Sequence, residues 1–99
     1  MGSFSPEKMT KTPVFESERF FFDVYALLPG QAQKVHAHEG ADKTYLVLEG
    51  RAEVTIGGET AELGPGEAAI ARAGVAHGIR AAGAGPVRCL AVMAPRPIS

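Results

Sequence analysis

Apolar and polar positions alternate with a period of two along most of this chain, and the alternation breaks at Gly or Pro every six to twelve residues or so. Residues 14–28 show it best. Phe20, Phe22, Val24, Ala26 and Leu28 fall on one face, and Phe21, Asp23, Tyr25 and Leu27 on the other. Successive side chains of a strand point to opposite faces. The segment therefore predicts a long strand, with a short one at residues 14–15 before it. Pro29-Gly30 ends it with turn chemistry. Residues 32–38 are a second extended segment, 39–41 a loop, and 44–48 a strong β run closed by Glu49-Gly50. Ala52, Val54 and Ile56 then alternate with Glu53 and Thr55. Gly57-Gly58 predicts a two-residue hairpin turn, because both positions tolerate positive φ. The return strand covers residues 60–63, and Gly64-Pro65-Gly66 turns the chain again. Further strands are expected at 68–71, 77–81 and 87–93.

Eight or nine short strands point to an all-β sandwich or barrel. Alanine is common, yet no apolar period of 3.6 residues lasts long enough for a helix. The expected organisation is a flexible leader over residues 1–13, a β-barrel over 14–94 and a tail over 95–99.

Composition narrows the function. Ninety-nine residues make one domain. So short a chain buries only about two-thirds of its unfolded surface, which makes a homodimer the expected assembly. The net charge is −1 and no basic block appears, so nucleic acid is not an expected partner. No apolar run is long enough to span a membrane, and the N-terminal stretch lacks a signal-peptide core. Cys89 is the single cysteine, so no intramolecular disulfide forms, which suits a reducing cytoplasm.

The candidate chemistry lies in the histidines. His36 and His38 are two residues apart, so an extended strand aims both imidazoles at one spot. His77, the third, reaches that spot only if the sheet folds over on itself. Three neutral imidazoles suit a divalent transition metal: Zn, Fe, Mn, Ni or Cu. The plainer alternative is a surface His-x-His pair.

Two spaced motifs join these residues. Gly30, His36, His38 and Gly50 fit G-x5-H-x-H-x3,4-E-x6-G, and Gly66, Gly74 and His77 fit G-x5-P-x-G-x2-H-x3-N. In both, the chain resembles the cupins, small β-barrels of the jelly-roll type (the double-stranded β-helix). The resemblance spans roughly residues 20–93. It implies that His36, His38 and His77 hold a metal. The motif glutamate is replaced by Lys43, the proline by Arg72 and the asparagine by Ala81. A three-histidine site without carboxylate is similar to the thiol dioxygenase branch of that family.

Several neighbours bear on such a site. A protonated Lys43 is no ligand and repels a cation, and its plain reading is a solvated side chain. Asp42 supplies a substitute carboxylate only if a bulge turns it inward. Tyr45 shares a face with Lys43 and Val47. It is the candidate catalytic residue, as donor or acid, unless it simply packs in the core. Arg72 either holds an anion at the mouth or lies on the surface. Glu49 reads as a surface charge and Cys89 as a small buried hydrophobe. Phe20, Phe22, Val54, Ile56, Ile70 and Val92 are assigned to packing.

Three functions follow. The first is a metalloenzyme of dioxygenase, isomerase or lyase type acting on a small molecule. The second is a module that binds or senses a small ligand. The third is a structural barrel with a vestigial site.

Overall fold

The alternation becomes nine strands in a computed structural model that describes residues 2–95. They are β1 (Thr10–Glu16), β2 (Phe21–Leu27), β3 (Ala32–His36), β4 (Asp42–Glu49), β5 (Ala52–Ile56), β6 (Glu59–Leu63), β7 (Ala68–Ala71), β8 (His77–Ala81) and β9 (Val87–Ala94). No helix forms among the described residues, so none is long and apolar enough to cross a membrane. One sheet runs β1-β2-β9-β4-β7 and the other β3-β8-β5-β6. Every recorded pairing is antiparallel.

The core lies between the sheets. Tyr25, Leu27, Tyr45, Val47, Cys89 and Ala91 line the first inner face, and Ala52, Val54, Ile79 and Ala81 the second. Full burial of each Val, Leu or Ile contributes roughly 1.5–3 kcal/mol. The period-two reading holds where both neighbours are strands. On β7, Ala69 and Ala71 face inward, which leaves Ile70 outside at 58% exposure rather than packed. Val54 is buried and Ile56 packs against the core, while Phe20, Phe22 and Val92 are half-buried.

The N-terminal segment departs from the expected flexible leader. β1 starts at Thr10 and pairs with β2 along its length, with a bulge between Pro13 and Phe15. Before it, residues 2–5 are tied down by side chains that reach their carbonyls. Arg88 Nε donates to Gly2 O at 3.0 Å, and Gln31 Nε2 donates to Ser5 O at 2.7 Å. The Arg88 guanidinium also lies 4.2 Å from the Phe4 ring centroid. Gly2 rests on Val24 and Ala26, and so both faces of β2 are buried there. Sequence polarity hides this, because the holding groups lie far along the chain. Of the expected tail, residues 96–99 lie outside the described residues.

Two glycine turns set the register. Gly57 and Gly58 have φ of +59° and +85°, as the β5–β6 hairpin requires. Gly50, at φ +82°, brings its backbone against the β8–β9 turn. A Cβ there meets Pro86 O at 2.2 Å. Gly50→Ala is expected to cost about 2–4 kcal/mol in urea unfolding, from a left-handed backbone and a clash with a carbonyl. A loss below about 1 kcal/mol shows that the turn relaxes freely.

Candidate metal centre

The three histidines meet at one end of the sandwich. His36 and His77 face each other across the β3–β8 ladder, and His38 follows just past the end of β3. The His38 carbonyl accepts from Gly74 N–H at 2.9 Å, which fixes that segment to the loop before β8. One potential ligand atom from each ring lies within 4.8 Å of the other two. Ring centroids stand 4.6 Å apart for His36–His38 and for His36–His77, and 5.6 Å apart for His38–His77.

The backbone fixes two of the tautomers. His36 Nδ1 lies 2.8 Å from Lys34 O, and His77 Nδ1 lies 3.0 Å from Val75 O. A carbonyl only accepts, so each neutral ring carries its proton on Nδ1 and keeps the Nε2 lone pair free. His77 is 1% exposed, and its Nε2 has no hydrogen-bond partner among the described residues. A buried nitrogen left in this way costs free energy unless something fills the place. Burial holds the pKa of His77 below the ordinary imidazole value, against the bond to Val75 and helped by Lys43. Burial, then His36 and Lys43, lower that of His38. Both shifts favour the neutral, ligating form. Set against a divalent metal, the donor set fits: convergent neutral nitrogens, with the orphaned atom among them.

The neighbours fall into place around this group. Asp42 is exposed, and its Oδ1 accepts from Ala73 N–H at 2.8 Å. Among the described residues it does not join the ligand group. Lys43 contradicts its solvated reading: it is 1% exposed, on the inner face of β4 with Tyr45 and Val47. The β4 alternation outweighs the charge of the side chain, and desolvation lowers its pKa to about 8. Tyr45 is fully buried, its ring centroid 6.1 Å from that of His77. Its hydroxyl donates to Gln33 Oε1 at 2.9 Å, and burial pushes the phenol pKa upward. Arg72 is exposed, while Glu49 pairs with Arg88. Cys89 is buried, its thiol pushed up to about 12 by burial, hence inert at neutral pH.

Gln33 is the residue that sequence pattern misses. Its Oε1 accepts from Tyr45 and from Lys43 Nζ at 3.2 Å, and its Nε2 donates to the Tyr25 hydroxyl at 3.3 Å. By simple parity Gln33 and His36 point opposite ways. The pairing slips by one residue between them, so Gln33 meets Ile79 while His36 meets His77. That bulge turns both side chains inward. Gly78 makes room for it, since a Cβ there sits 3.0 Å from Gln33 O.

The profile of the cupin domain matches residues 23–93 of the chain. The protein belongs to the cupin family. Its fold is close to that of TT1209 from Thermus thermophilus, a crystal structure with 58% identity and a TM-score of 0.94, covering 97% of this chain and 91% of that one. An uncharacterised protein with a double-stranded β-helix domain from Klebsiella pneumoniae gives 30% identity and a TM-score of 0.88, covering 95% and 83%. An uncharacterised protein of Streptomyces coelicolor is 43% identical over 56 residues, which cover 54% of this cupin and half of that protein's length.

Proposed function

We propose that this cupin holds one divalent transition metal through His36, His38 and His77, and acts with it on a small molecule at the open end of the sandwich. The observation that carries this reading is the buried Nε2 of His77, without a hydrogen-bond partner among the described residues and grouped with two further imidazoles. When bound, the ion supplies Lewis acidity toward an oxygen or sulfur atom of the substrate. The chain's own residues do the rest. The Lys34 and Val75 carbonyls hold the His36 and His77 rings in their ligating tautomer. Tyr45 stays protonated and serves as a donor, steadying Gln33, which in turn positions Lys43. Such a site suits dioxygenase, isomerase and lyase chemistry alike.

Untagged protein reconstituted with divalent ions is expected to retain about one equivalent of metal, and the His36→Ala and His38→Ala variants less than about a tenth. Wild-type protein that also retains less than a tenth overturns the proposal and leaves a vestigial site. A non-catalytic binding module is the second reading. It is favoured by Tyr45, whose hydroxyl proton is held by Gln33 and whose pKa burial pushes upward, so that it is not poised as an acid or base. Substrate conversion by the ferrous protein with small thiols, diketones and phenols, followed by product analysis with oxygen uptake alongside, separates the two. Turnover supports the enzyme, and silence across the panel supports the binder.

A further inference from the structure

Lys43 is a cation on the inner face of the sandwich. It is 1% exposed. Its Nζ donates to one hydrogen-bond acceptor, Gln33 Oε1, and lies 4.8 and 5.2 Å from the ring centroids of Tyr25 and Tyr45. Aromatic faces attract an ammonium but are no substitute for the oxygen acceptors that its other N–H groups find in water. None of the ion pairs found among the described residues includes it.

The surrounding charges deepen the imbalance. The ligand group contains three imidazoles and no carboxylate. Lys43 adds a positive charge that both His38 and His77 feel. Lys11, with its Nζ 5.4 Å from the Tyr25 ring centroid, adds another. Asp23 acts on Lys43 through space alone, and burial raises its own pKa. Asp42 is engaged with Ala73 N–H, and Glu39 is exposed beside Gly74. A divalent ion bound here sets more positive charge beside the buried Lys43 and His77, which is costly unless an anion offsets it.

Two atoms in this cluster await partners, the Nε2 of His77 and the ammonium of Lys43. A metal ion satisfies the first. The second needs an oxygen acceptor that also carries negative charge. A carboxylate has two oxygens, so one can meet the metal while the other meets the ammonium. A halide offers a single atom, which meets both only where the ammonium reaches the metal's own ligand, and it lacks the second oxygen.

We infer that the centre takes its metal together with a small carboxylate, and that Lys43 selects this anion in place of a protein carboxylate. The inference rests on the three-histidine reading and adds a ligand class to it. Metal and carboxylate are then coupled, each raising the affinity of the other.

Co2+ titrations followed by visible absorption test this without reference to activity. With untagged wild-type protein in a buffer free of coordinating anions, Co2+ binds weakly. Formate is expected to tighten Co2+ binding about tenfold and to shift its absorption bands, whereas chloride tightens it less than about twofold. Lys43→Met, and Lys43→Gln as a second variant that keeps a polar group beside Gln33, are expected to bind Co2+ more tightly than wild type without formate. Both gain less than about twofold from it. An equal gain in wild type and either folded variant overturns the inference, as does chloride matching formate. If wild type and both variants bind no Co2+ at all, the three-histidine reading falls and the anion site falls with it. If Co2+ binds and formate changes nothing, only the anion site falls.

Discussion

A large excess of Zn2+ should raise the melting temperature of the wild-type protein by about 15–30 °C, and that of His77→Ala hardly at all. A ligand present at a thousand times its dissociation constant adds about 4 kcal/mol to the folded state. For a domain of this size each kcal/mol moves the midpoint by roughly 4–8 °C. The physical reason lies in His77 Nε2. Among the described residues nothing hydrogen-bonds this buried atom, a burden of roughly 1–3 kcal/mol until a ligand meets it. On the proposed reading a bound metal would relieve it and share His36 and His38 as ligands. His77→Ala removes the ligand and the burden together. The metal-free variant should therefore lose less stability than removal of a ring usually implies, and its deficit should widen once Zn2+ is added. Differential scanning calorimetry with and without chelator reads both quantities. Equal shifts in wild type and variant would mean that Zn2+ binds elsewhere.

The convergence of these rings was partly legible before any coordinates. His36 and His38 share a face because strand residues two apart always do, and they sit as expected. The hairpin at Gly57-Gly58 and the strand order around it follow from turn chemistry in the same way. The placement of His77 was legible only through the spacing of a second motif, since nothing local says which distant strand will lie beside β3. Lys43 shows a different limit. The β4 period already put it on the inner face with Tyr45 and Val47, and the charge of the side chain argued for the surface. Where the two cues conflict inside a well-formed central strand, the period governs, because turning one residue outward shifts all its neighbours. Gln33 was out of reach. Its inward aim depends on a one-residue slip in the β3–β8 ladder, and the slip depends on the close approach that Gly78 allows on another strand. The anchoring of residues 2–5 was hidden likewise, because it rests on Arg88 and Gln31, remote in sequence.

Lys43→Met should make the metal-free protein more stable at pH 7, by about 2–3 kcal/mol. Methionine fills a similar volume and carries no charge to desolvate. The size follows from the pKa, lowered chiefly by burial from 10.5 in a free lysine to about 8. Between those values the unfolded chain holds a proton that the folded chain has released. Stability of the wild type therefore rises as pH climbs from about 8 to 10.5, and falls as pH drops back through that window. Below pH 8 the whole penalty is present, near 3 kcal/mol before the bond to Gln33 and the two aromatic faces are set against it. The advantage of the variant should thus be full at pH 7 and shrink to under about 1 kcal/mol near pH 10.5. Taking the difference between the two proteins cancels the tyrosines, whose titration above pH 10 is common to both. Urea unfolding at a series of pH values measures it. An advantage that does not change with pH would show that the ammonium is solvated or paired in the folded state. The same cation that weakens the bare fold is the one that gives an incoming carboxylate somewhere to bind. Adding formate with metal should therefore narrow the gap between wild type and Lys43→Met at neutral pH, where raising the pH narrows it by deprotonating the lysine instead.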